Sequence, residues 1–332
     1  MFPIDRKGPS MWIRNASLAL ATAFLPGAQA ETPSVQVRLD ARLAELSLDY
    51  LRSGQESLLD EMAATPAAAH LLTHARNWHY EVPRDSARAL LQSLVTPREA
   101  RMARAEGARK ALAYFQGALN ADSSWTAEVR RALPPDATQP VTLFLTFGYD
   151  SGVACPGTAS LNAAHTAFHR DLRELRYMAI HECQHAVFMT YQPPPAMDSV
   201  HSAAQLQALA EYALQLEGMA TWAAWDCREK EGGLDGDEDY RVLRDEAQIQ
   251  RLERRFMEVH QALKASASNP GPADPATRAL MMGLYDRDRV FYRFGAYAAR
   301  QIERQRGRAA VTALIKAGPR AFLEAYLACR AK

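Results

Sequence analysis

Three consecutive prolines, Pro193 to Pro195, separate two long helical patterns and dictate much of what this chain can become. The first pattern runs from about Arg170 to Tyr191 and must stop where proline withdraws the backbone N–H. The second runs from about Ser199 to Arg228, and the proline break lets it fold back on the first. Inside the first lies His181-Glu182-Cys183-Gln184-His185, flanked by Met178, Ala179 and Ile180 and by Ala186, Val187 and Phe188. Histidines four apart on a helix project from one face, so both imidazoles can reach one divalent ion. Glu182 stands beside the first histidine, where it can accept a proton from a water polarised by that ion without binding the metal itself.

A catalytic zinc site needs a third protein ligand and an open fourth position. The residues after His185 do not continue as HxxGxxH, because Phe188 and Tyr191 occupy the glycine and histidine places. The returning helix offers Glu217 within Leu216-Glu217-Gly218-Met219-Ala220-Thr221-Trp222, and Glu211 is its rival. Six positions apart, the two carboxylates lie about 240° around a helix and cannot share a face. Glu217 is favoured for its Gly-x-Ala context; its apolar neighbours would make an unpaired carboxylate costly there. Gly218 is expected to remove a side chain beside the metal so that the helices approach closely. His201 reads as a surface or supporting residue.

With His181, Glu182, His185 and Glu217-Gly218-x-Ala220 in place, the chain resembles the gluzincin metallopeptidases. The layout is most similar to bacterial families of uncharacterised zinc-dependent peptidases, over about Val141 to Leu327. The resemblance implies a zincin-like fold with a small sheet and an active-site helix, one Zn²⁺, and a peptide or protein substrate. Tyr292-Arg293-Phe294-Gly295 looks like the Tyr-x-x-Gly element with which some of these enzymes supply a tyrosine to the transition state. A phenol near the metal can donate to a developing oxyanion, with Tyr285 and Tyr297 as substitutes for Tyr292. The resemblance also implies an edge strand that aligns substrate by backbone pairing, for which Gly152-Val153-Ala154 is the candidate. The Gly-Ala-Met-Glu-Asn element of the aminopeptidase branch is missing.

The rest of the chain fits an α+β, predominantly α-helical protein. From Val35 to about Arg131 the pattern is helical, with Pro66, Pro83 and Pro97 at expected helix starts; this stretch reads as a scaffold or lid. Val141 to Phe147 is the clearest strand, and Ala159-Ser160-Leu161 a short second one. Helical pattern resumes from Tyr240 to Lys264, and again over Ala276–Leu284, Arg289–Arg306 and Arg308–Ala328. Three regions are expected: a leader over 1–30, an N-terminal helical region over 31–135, and a catalytic region over 136–332.

The leader has a basic start (Arg6, Lys7, Arg14), a short apolar core from Ala16 to Leu25, and an Ala28-Gln29-Ala30 cleavage signal. Met11 is an alternative start, and a retained membrane anchor the alternative reading. An exported protein is therefore expected, periplasmic or secreted, with no stable membrane insertion after cleavage. In that oxidising setting Cys155, Cys183, Cys227 and Cys329 fit one or two disulfides, or four buried apolar residues. A net charge of +1 gives no basic excess for nucleic acid, and 48% hydrophobic residues exclude a disordered chain. Asp235, Asp237, Asp239 and Glu246 fall at calcium-loop positions, but Tyr240 replaces the glycine of the sharp turn, which favours a solvated acidic turn. Arg251, Arg254 and Arg255 read as a solvated helix face.

Three function classes remain: a zinc peptidase, a zinc hydrolase of a non-peptide amide or ester, and a non-catalytic helical scaffold with a structural or vestigial metal site.

Overall fold

A four-stranded sheet carries the helices that frame the site. The computed structural model describes residues 34–96, 98–269 and 271–330, so the leader over 1–30 and the helix start at Pro97 lie outside the described residues. β1 (Val37–Asp40), β2 (Val141–Thr146), β3 (Gly152–Cys155) and β4 (Thr158–Asn162) lie in the order β1-β2-β4-β3. β1 and β4 run parallel to β2, with Val37 opposite Val141 and Thr142 opposite Thr158; β3 runs antiparallel to β4 and forms an edge. β2 matches its alternation of β-branched and aromatic residues, and is buried at five of its six positions.

β1 is a departure from the sequence expectation of helix beginning at Val35. Four residues are too few to show a period of two, and the strand exists because β2, a hundred positions away, supplies its hydrogen bonds. The Gly-rich turn region likewise contains β3, which hydrogen-bonds to β4 across the turn at Pro156-Gly157.

Six helices frame the site: α1 (Pro66–Asn77), α2 (Arg173–Tyr191), α3 (Ala203–Ala223), α4 (Glu246–Ser266), α5 (Val290–Arg306) and α6 (Pro319–Arg330). The first long pattern is interrupted at Asp171 and Leu172, where the Asp171 carboxylate accepts the Arg173 N–H; a short helix, Thr166–Arg170, precedes the break. α3 starts at a capping box in which Ser202 and Gln205 exchange hydrogen bonds, three residues after a single 3₁₀ turn at Met197–Ser199. α2 lies against β2, β3 and β4, and α3 packs across both α2 and α5. Ala179, Ile180, Val187 and Phe188 on α2 and Leu214, Met219 and Ala220 on α3 are buried, beside buried polar groups that include Gln184, His185 and Gln215. No described helix is long and apolar enough to cross a membrane.

All four cysteines are buried and unpaired, in line with the apolar alternative rather than a disulfide. Burial pushes the Cys155 and Cys227 thiols up to about 12, so they are held as thiols.

Candidate metal centre and cleft

Two turns of α2 and one of α3 bring the expected metal ligands together. The His181 and His185 rings stand 4.5 Å apart and nearly perpendicular. Both Nε2 atoms face one carboxylate oxygen, Glu217 Oε2, at 3.7 Å from His181 and 3.2 Å from His185. The three donors lie within 4.8 Å of one another and form the His/Cys/Asp/Glu group able to hold a metal among the described residues. Tetrahedral ligands about 2.0–2.1 Å from zinc stand roughly 3.4 Å apart, so the donor set fits that ion.

Burial and the neighbouring His185 imidazole lower His181 to about 4, against the opposing pull of Glu217. Burial works to raise Glu217, but the two imidazoles outweigh it and hold the carboxyl well below its usual range. Glu217 thus presents a carboxylate and His181 an unprotonated nitrogen, the forms that bind a cation.

Glu182 comes to the same cleft from beneath the sheet edge. A Cβ on Gly152 of β3 would lie 2.6 Å from Glu182 Oε1, so this glycine makes the room the carboxyl occupies. Burial, then the charges of Glu217 and Asp150, push Glu182 well above the ordinary carboxylate range. A carboxyl with raised proton affinity is suited to accept and return a proton.

Gly218 does not act beside the metal, as expected from sequence. A Cβ there would meet Gly295 backbone atoms at 2.3–2.4 Å, so Gly218 and Gly295 form the close crossing of α3 with α5. That crossing explains the Gly of Tyr-x-x-Gly and brings Tyr292, one turn earlier, to the metal group. The Tyr292 ring lies parallel to His181, 6.2 Å between centroids. Burial and the Glu217 carboxylate keep the phenol protonated by raising it well above its usual value. Tyr285 instead packs on Phe291, and Tyr297 reaches Glu246.

Glu211 points elsewhere: His260 of α4 meets it at 2.8 Å and Arg320 of α6 at 3.4 Å. His201 is exposed and does not line the cleft. The acidic loop binds arginines rather than converging on a cation: Asp235 pairs with Arg244, Asp237 with Arg228, and Asp239 with Arg289 and Arg293. Arg251 and Arg255 pair with Asp288.

The cleft has a cavity volume of about 160 Å³, and several of its walls are unannounced by the sequence pattern. His74, Trp78 and Tyr80 come from the end of α1, where Tyr80 N–H bonds Ala75 O and His79 N–H bonds Arg76 O. This closing turn normally uses glycine at the left-handed position; His79 holds it at φ 55°, which hides the helix end from sequence inspection. Tyr149 donates to Leu71 O and so accepts from His74 Nδ1–H; burial lowers His74 to about 3, which leaves the ring neutral and Nε2 unprotonated. Tyr80 donates to Asp150 across the cleft rim. The one sequence signal was a histidine followed by Trp78-His79-Tyr80, an aromatic cluster at a helix end.

No curated protein and no solved structure matches the chain. A family model described as "Putative zinc dependent peptidase (DUF5700)" matches residues 85–331, which include all five residues singled out for metal binding and catalysis. That match spans most of the chain, and the chain belongs to this family.

Proposed function

We propose that the chain is an exported zinc-dependent peptidase of zincin-like architecture. The reading is carried by the convergence of His181 Nε2, His185 Nε2 and Glu217 Oε2 at the floor of a cleft that also holds Glu182. The family's description as zinc dependent supports the choice of ion.

His181, His185 and Glu217 would hold a zinc ion, which would supply a Lewis acid and lower the pKa of a water toward about 7. Glu182 takes the proton that the attacking water releases and passes it to the departing amine. Tyr292 donates to the former carbonyl oxygen as negative charge grows on it, which requires the protonated phenol its surroundings maintain. The outer edge of β3 offers backbone donors and acceptors to an extended peptide, with Gly152, Val153 and Ala154 on the cleft wall.

The test is metal content and peptide hydrolysis of the mature chain beside Glu182→Gln. One zinc per chain is expected in both, with hydrolysis reduced on the order of 10²–10⁴-fold in the variant. Undiminished function in Glu182→Gln would favour the scaffold reading. Turnover of esters or non-peptide amides, with peptides inert, would favour the other hydrolase.

A further inference from the structure

We infer that Arg289 is a carboxylate-binding subsite, so that the cleft selects peptides carrying a negative charge near the bond to be cleaved. The substrate class rests on the peptidase reading; the anion site rests on the residues around Arg289.

Two arginines line the cleft, Arg228 and Arg289, and they are placed for different work. The Arg228 side chain is 2% exposed. Its terminal nitrogens are taken by Glu174, Asp237 and the Gly233 carbonyl, and its guanidinium lies 4.4 Å from both the Tyr177 and Tyr240 ring centres. That is a structural cation with no donor to spare at its end. The Arg289 side chain is 44% exposed. Only its Nε is engaged, by the Asp239 carboxylate at 2.9 Å, and no group among the described residues accepts from its terminal nitrogens.

Asp239 Oδ1 also accepts from the buried Arg293 Nε at 2.7 Å, so one carboxylate serves two guanidinium groups. Glu238 pairs with the Arg293 terminal nitrogen at 3.2 Å, so these two acids and two arginines balance in charge. What the cleft wall gains is the unclaimed terminal end of the Arg289 guanidinium. Two contacts fix its position: Asp239 holds Nε, and the guanidinium lies 3.7 Å above the Tyr292 ring, the ring stacked with His181. The backbone of Arg289 is left-handed, φ 44° and ψ 50°, a conformation that residues with a side chain rarely adopt. The chain accepts this at the first step into α5, next to Tyr292. Terminal guanidinium donors held in a plane, half exposed and unpaired, match the two oxygens of a carboxylate.

The carboxylate has two sources in a peptide, an acidic side chain or the free C-terminus. The probes are blocked alanine hexapeptides with one Glu, or Gln in its place, moved through each position, each made with a free and an amidated C-terminus. Binding is measured by calorimetry to zinc-loaded Glu182→Gln protein, alone and combined with Arg289→Gln or Arg289→Lys, so no turnover is needed. Charged peptides should bind about ten- to a hundredfold tighter than their neutral counterparts. Arg289→Gln should abolish that ratio, and Arg289→Lys should restore part of it. Preference for Glu at one position assigns a side chain; preference for the free acid assigns the C-terminus. The inference falls if charged and neutral peptides bind alike, if none binds, or if the preference survives Arg289→Gln. It also falls if Arg289→Gln, made in the otherwise unaltered chain, slows turnover of neutral and acidic peptides equally without changing binding, which would move Arg289 to the reacting carbonyl. Charge-selective binding with no hydrolysis by the unaltered chain would leave the anion site standing and remove the peptidase reading.

Discussion

α3 carries a carboxylate on each of two faces, Glu211 buried and Glu217 half-buried, and each meets a histidine from a neighbouring helix. On the face toward α4 and α6, Glu211 is met by His260 at 2.8 Å, Gln207 at 3.1 Å and Arg320 at 3.4 Å. On the face toward α2, the nitrogens of His181 and His185 alone meet Glu217 among the described residues. Both carboxyls are held below their usual range against the effect of burial, so acidity does not distinguish them. What distinguishes them is closure. Glu211 has donors on both oxygens, a cation among them. Glu217 shares one oxygen with two imidazoles that can themselves act as electron-pair donors, at the floor of an open cleft. A carboxylate–histidine contact becomes a metal site when its lone pairs exceed the protons available to them.

The sharpest way to break this comparison is to remove each carboxylate in turn. Glu217→Ala should release the zinc and with it all hydrolysis. Glu211→Ala should keep both, and lose about 1–3 kcal/mol of stability because His260, Arg320 and Gln207 are left without their acceptor. Metal analysis and denaturant unfolding of the two variants read these outcomes. Zinc lost from Glu211→Ala and kept in Glu217→Ala would reverse the assignment of the two faces.

The floor of the site was legible because it is local. His181, Glu182 and His185 lie within a single helical turn, and the six-position gap from Glu211 to Glu217 sorts those carboxylates by helix geometry alone. The sheet was half legible: β2 has the composition of a strand, whereas β1 has no signal of its own and depends on a distant partner. The walls were not legible. Tyr80 and Asp150 meet across 70 positions, Asp239 and Arg289 across 50, and His79 stands where a helix end usually shows glycine. Gly218 was legible as a close approach, but the partner helix was not, because which neighbour a glycine admits is decided by tertiary packing.

Histidines with hydroxyl partners extend the comparison to pH. His70 contacts the Thr158 and Ser160 hydroxyls, and His74 the Tyr149 hydroxyl. Burial lowers His70 to about 4; burial, joined by the His70 and His185 imidazoles, lowers His74 to about 3 against the opposing pull of Glu217. Below pH 6.5 the unfolded chain takes up protons that the folded chain refuses until near those lower values. Stability present at neutral pH is therefore lost as pH falls from 6.5 toward 4, by about 3 kcal/mol for His70. Urea midpoints across that range should fall, and His70→Gln should flatten the slope. A slope unchanged in His70→Gln would mean that the acid response belongs to other groups.

The two glycines beside the site should separate fold from chemistry, with the smallest effect on stability at the second. In Gly218→Ala the new methyl meets the Gly295 backbone, which can yield only if α3 and α5 move apart; a loss of about 1–3 kcal/mol is expected. In Gly152→Ala the methyl meets Oε1, Cδ and Cγ of Glu182, so the side chain has to shift while the backbone stays in place. Thermal unfolding and zinc content should then be unchanged, while hydrolysis falls on the order of 10²-fold because the proton acceptor has moved by about 1 Å. Full activity in Gly152→Ala would mean that β3 does not set the position of Glu182. A matching loss of stability would mean that this glycine serves the sheet rather than the carboxyl.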